Sequence, residues 1–107
     1  MAQLGAIATV LRAVGTEAPA DLDWVLRVDG HTDPVPVSAG PGAKYADNWE
    51  LSQGRALSVV RYLIDEEGIA PERLAATGFG EHRPVDLGTS PDAYARNRRI
   101  EFKFTER

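Results

Sequence analysis

Asp33 and Arg55 are the side chains in this sequence with the most chemical promise. Asp33 falls just past an apolar run, Trp24 to Val28, at the place where a chain leaving a sheet presents side chains to a crevice. Arg55 sits four residues after Leu51 and four before Val59 on a helical pattern, so its aliphatic stem runs beside the apolar stripe and full solvation is not expected. Two readings stay open. Carboxylate and guanidinium at the margin of a core form a structural ion pair, or they face a zwitterionic guest, Asp33 taking an ammonium and Arg55 gripping a carboxylate bidentately. Free backbone donors at the nearby helix N-terminus would serve the same anion. A site of the second kind recognises an amino acid and needs no catalysis.

The other polar residues carry weaker signals. Arg96, Arg98 and Arg99 form a basic cluster that reads first as a solvated patch, yet Arg98 shares strand parity with Ile100, and a charge on the covered side wants an anionic partner. His31 and His82, taken with Asp33, match no strong metal spacing, so no metal site and no cofactor are expected. Trp24 and Trp49 read as core or cover, with Trp49 also placed to wall a pocket. Ser52, in the first turns of a helix, reads as local backbone bonding, and Gly78-Phe79-Gly80 as a turn after a strand. The absence of cysteine excludes a disulfide framework, a zinc-thiolate site and a thiol nucleophile. A net charge of -4 argues against nucleic acid, whose binders show a basic face. No apolar run reaches the roughly 20 residues of a membrane span.

The elements that must position these residues are legible from periodicity. At 107 residues the chain fits a single domain, 1–107, with one core. Residues 3 to 14 read as an amphipathic helix and 17 to 23 as a turn. Trp24 to Val28 reads as a buried strand ending at Asp29-Gly30. Residues 34 to 47 hold Pro34, Pro36, Pro41, Gly40 and Gly42, too much punctuation for a regular element. The clearest helix spans Trp49 to about Glu67, capped by Asp47 or Asn48, with Glu50 completing a capping box and Gly68 closing it. A turn at Pro71 to Arg73, a strand at Leu74 to Gly78 and a short helix from Pro91 to about Asn97 follow. Finally Arg98 to Thr105 alternates, with Ile100, Phe102 and Phe104 on one side. The expected class is α/β (α+β), helices packed on a small sheet.

Four ordered motifs then carry a family resemblance. Asn48, Leu51, Ser52, Arg55, Ala56, Val59 and Leu63 match the N-x2-L-S-x2-R-A-x2-V-x3-L pattern of OmpA-like peptidoglycan-binding domains. Gly30-His31-Thr32-Asp33 resembles the G-x-T-D of that family, and Gly78-Phe79-Gly80-Glu81 and Asn97-Arg98-Arg99 resemble its G-x-G-E and N-R-R elements. The Asp33-Pro34 start of a longer loop, followed by Asn48-Trp49-Glu50-Leu51-Ser52, is most similar to the MotB, or flagellar stator, type.

The resemblance implies a small mixed sheet with helices on one side and non-catalytic binding of the peptidoglycan stem peptide, usually at meso-diaminopimelate. It implies that Asp33 accepts the ligand ammonium and Arg55 its carboxylate, with Thr32, Asn48 and Arg98 lining the same pocket. It further implies a periplasmic, envelope-anchoring role. The sequence departs from the family pattern in lacking a strand before the first helix. We therefore expect a fragment of a longer envelope protein, with export and membrane attachment supplied upstream, and a sheet edge left open or covered by another chain, a homodimer included. The 34–47 loop is longer than in the OmpA version, so the ligand contacts of that loop do not carry over. The competing function is a protein-interaction or dimerisation module on the same fold. A cell-wall hydrolase is disfavoured, because no metal triad, thiol or paired carboxylates stand out.

Overall fold

The computed structural model describes residues 24–37 and 44–106. Strand β1 is Trp24–His31, helix α1 is Asn48–Asp65, a 3-10 turn covers Pro71–Arg73, strand β2 is Leu74–Gly78, helix α2 is Pro91–Asn97, and strand β3 is Arg99–Glu106. The expected helix at 3–14, the turn at 17–23 and the middle of the 34–47 loop lie outside the described residues.

Apolar parity puts β1 at the centre. Trp24, Leu26 and Val28 alternate onto one face and are buried there, where Ala56, Val60 and Leu63 of α1 meet them. Each fully buried Leu or Val contributes about 1.5 to 3 kcal/mol relative to exposure. The sheet order is β2-β1-β3, with β1 parallel to β2 and antiparallel to β3. A parallel pair needs a long crossover, and α1 supplies it. Leu26 faces Leu74 on one side and Phe104 on the other, while Val28 faces Ala76 and Phe102. The predicted alternation of Ile100, Phe102 and Phe104 therefore holds, although Phe104 is half-exposed where it leans on Trp24, with ring centroids 5.4 Å apart. Among the described residues, two helices with a three-stranded mixed sheet give the α/β (α+β) class expected. Among the described residues β3 has one partner strand.

Helix ends follow their local chemistry. The Asp47 carboxylate accepts from Glu50 N at 2.9 Å, and Glu50 answers by accepting from Ala46 N rather than from Asp47 itself. At the far end Gly68 adopts φ +69°, letting Ile69 N donate to Leu63 O at 3.0 Å. Ser90 caps α2 through Ala93 N, with Pro91 in the first turn.

Contrary to expectation, β1 does not end at Asp29-Gly30 but runs on to His31. Pairing continues through it, Gly30 lying opposite both Gly78 and Ile100, and His31 opposite Arg99. The reason for glycine is close approach. A methyl group on Gly30 would land on the Ser52 carbonyl, and one on Gly78 would lie 2.6 Å from Gln53 N. Paired glycines thus let the first turns of α1 rest directly on the sheet.

The second face of the sheet is polar. Arg27 donates two bonds to Asp29, at 2.7 and 2.9 Å, and Arg99 pairs with Glu101. His31 is buried there, stacked on Phe79 and 3.7 Å from Glu101.

Candidate functional site

Where β1 ends, three segments converge. Thr32 N donates to Gly80 O at 2.9 Å, and its hydroxyl donates to Asp33 O at 2.8 Å, which fixes the backbone as it leaves the sheet. Asp33 Oδ1 accepts from Val35 N at 3.0 Å, a local turn that Asp favours. Asn48, buried at the start of α1, donates its amide to Asp33 O and Val35 O at 3.3 and 3.2 Å. The polar residues beside Asp33 thereby hold its position.

Asn97 and Ser52 do similar work from the other side. Asn97 is buried, accepts from Val85 N and Asp86 N, and donates to Asp86 O at 2.9 Å, which organises the loop ahead of α2. Asp86 in turn accepts from Gly88 N and from Arg96, and these two contacts hold its carboxyl below the ordinary value. Ser52 is fully buried; its hydroxyl donates to Trp49 O at 3.0 Å and accepts from Gly80 N at 2.9 Å. The local bonding expected of Ser52 is there, and with it a tie between helix and glycine turn that spacing did not reveal.

These supports frame a cleft of about 450 Å³ whose lining includes Thr32, Asp33, Asn48, Arg55 and Arg98. All five predicted site residues are thus brought to one place. Leu51 and Tyr94 supply apolar wall between the charges. Tyr94 was missed, although it lies one helical turn before Arg98 and that spacing pointed to it.

The charges are partnered differently from either sequence reading. Asp33 Oδ2 accepts from Arg98 at 2.6 Å, and no ion pair joins Asp33 to Arg55. Arg98 lies ahead of β3 as the cap of α2 and is exposed, not on the covered side as its parity predicted, yet it meets an anionic partner, with 44% of its side chain exposed against 12% for Asp33. Arg55 projects from α1 at the cleft, exposed rather than shielded as expected, and bonded to no other described residue. Ala56 and Val60, not Arg55, cluster with Val28 in the core. The cleft therefore carries one carboxylate already held by a guanidinium and a second guanidinium free. Such an arrangement suits a guest with an ammonium and a carboxylate, the latter able to draw on two cations.

Among the described residues no group of three or more His, Cys, Asp or Glu is gathered as for a metal ion, and no helix is long and apolar enough to cross a membrane. Trp49 is half-exposed and stacked on His82, ring centroids 4.8 Å apart, whereas Trp24 is core.

The model of the OmpA family matches residues 2–98. Motility protein B of Bacillus subtilis (strain 168) is 31% identical over 74 residues, covering 69% of this chain and 27% of that protein. Outer membrane porin F of Pseudomonas fluorescens is 43% identical over 76 residues, covering 71% of this chain and 21% of that protein. The chain thus spans less than a third of the length of these relatives. Among solved structures, a putative MotB like protein from Desulfovibrio vulgaris superposes with a TM-score of 0.71 at 36% identity, over 95% of this chain and 60% of that one.

Proposed function

The chain belongs to the OmpA family, and from that premise we propose that it holds an envelope assembly to the cell wall by binding peptidoglycan without catalysis. The ligand is the stem peptide, and the group recognised is the zwitterionic end of meso-diaminopimelate. Asp33, steadied by Arg98, accepts the ammonium; Arg55 grips the carboxylate, with Arg98 at its other side. Thr32 and Asn48 fix the backbone that carries Asp33. The location that follows is the periplasm, and the similarity to motility and porin proteins supports a role among envelope or flagellar-motor components.

The observation that carries this reading is the meeting of one carboxylate and two guanidiniums at a single cleft, from segments as far apart in sequence as Asp33 and Arg98. The test is co-sedimentation with purified sacculi, beside titration with free meso-diaminopimelate. Wild type pellets with the wall, while Arg55→Ala and Asp33→Ala remain in the supernatant with unchanged circular dichroism. Truncating one partner of a desolvated charge pair costs about 2 kcal/mol or more, roughly a thirtyfold loss of affinity. Folded variants that pellet as wild type does would overturn the clamp and leave the interaction-module reading in its place.

A further inference from the structure

The cleft just described uses one flank of α1, that of Asn48, Leu51 and Arg55. The opposite flank carries a second cleft of about 500 Å³, lined chiefly by Tyr45, Trp49, Glu50, Gln53 and Lys44, which the stem-peptide reading leaves unused. Its character is different. Lys44 and Glu50 balance in charge, so the cleft favours no ion. Trp49 is 52% exposed although it is the largest apolar side chain near the site, and it is held in place by stacking on His82. Tyr45 lies across Gly54 so closely that a methyl there would be 2.6 Å from its ring. Gln53 donates its amide to Ala76 O at 3.1 Å, which fixes the side chain and leaves its carbonyl oxygen with capacity to accept.

A fixed aromatic surface beside neutral or balanced acceptors and donors suits a ligand with one apolar face and a rim of hydroxyl and amide groups. A pyranose ring bearing an N-acetyl group has that make-up: axial C–H bonds pack on the indole, and the rim meets Gln53, Glu50 and the Tyr45 hydroxyl. We propose that this second cleft binds an N-acetylhexosamine unit of the glycan strand. The proposal rests on the stem-peptide reading for its geometry. A helix with its side chains is about 10 to 12 Å across. Two extended residues and the lactyl bridge between the diaminopimelate and its sugar reach roughly 10 Å. One α1 turn can therefore sit between peptide and glycan, with a cleft for each.

The test separates the two ligands. Peptide-free chitotetraose and free meso-diaminopimelate are titrated individually into the ¹⁵N-labelled chain. Chitotetraose is expected to shift the Trp49 indole and the Gln53 and Gly54 amides. Trp49→Ala is expected to weaken that response at least tenfold, Trp49→Phe less, and both to leave the diaminopimelate response within twofold. The amide spectra of the variants report whether the fold is kept, which the exposure of Trp49 favours. No shift at Trp49 with chitotetraose, or an undiminished response in a folded Trp49→Ala, overturns the proposal even if diaminopimelate binds. A sugar response with diaminopimelate silent upholds this cleft and sinks the stem-peptide reading alone.

Discussion

Replacing Gly78 with alanine probes the contact on which the site is built. The added methyl would lie 2.6 Å from Gln53 N, 2.7 Å from Ser52 Oγ and 2.9 Å from Gln53 Cα. Two of these neighbours are backbone atoms of α1, so relief requires the helix to lift by most of an ångström rather than a side chain to rotate. Overpacking of this kind costs about 1 to 3 kcal/mol. Pushing Ser52 aside also strains the bond from Gly80 N, about another 1 kcal/mol. The lower entropy of the unfolded alanine chain returns about 0.4 to 1 kcal/mol. The expected net loss is about 1 to 3.5 kcal/mol, centred near 2, a fall of roughly 1 M in the urea midpoint at the m-values of small domains. Urea unfolding followed by circular dichroism measures it. Gly68→Ala is the control: its φ of +69° carries a left-handed cost of about 1 to 2 kcal/mol, with nothing within 4 Å to collide. Meso-diaminopimelate affinity should fall in the Gly78 variant and hold in the Gly68 variant, because only the first moves Asn48. A Gly78→Ala protein within about 0.5 kcal/mol of wild type would refute the close-approach argument.

Two further outcomes are expected. Ser52→Ala strips the buried Gly80 N–H of its acceptor and should cost about 1 to 3 kcal/mol by the same unfolding assay, whereas Ser58→Ala, exposed and bonded only within α1, should cost less than half as much. Burial, followed by the Arg99 charge, holds the His31 imidazole below its ordinary 6.5, although Glu101 and Asp29 pull the other way. The folded chain then binds fewer protons than the unfolded chain in that range. Stability from His31 is full above about pH 6.5 and is lost as pH falls toward the folded value. The urea midpoint should therefore decline between pH 7 and 5, and His31→Gln should flatten that decline; an equal slope in the variant would show that another group is responsible.

Much of this was legible because it is local. Asp47 and Glu50 announce the start of α1, Gly68 its end, and the parity of Ile100 and Phe102 the buried side of β3. That the five candidate residues would meet at one cleft was legible through motif spacing. Their pairing was not. Asp33 meets Arg98 rather than Arg55 because the backbone after Thr32 is turned by Asn48 and by the Thr32–Gly80 bond, and such bonds between distant segments leave no periodic trace. Gly30 misled for a related reason: glycine marks turns and close approaches alike, and only the position of Ser52 distinguishes them. The burial of His31 and Asp29 on the sheet's second face was likewise hidden, since alternation assigns polar residues there to solvent.

The strand order β2-β1-β3 has a kinetic consequence. Central β1 is the earliest of the three strands along the chain, yet both of its neighbours come later, and the contact of Val28 with Phe102 spans most of the described sequence. Ends so far apart must find each other before the apolar layer can close, which makes the final pairing slow relative to helix formation. A chain with this order thus stays pliable until β3 is available to pair.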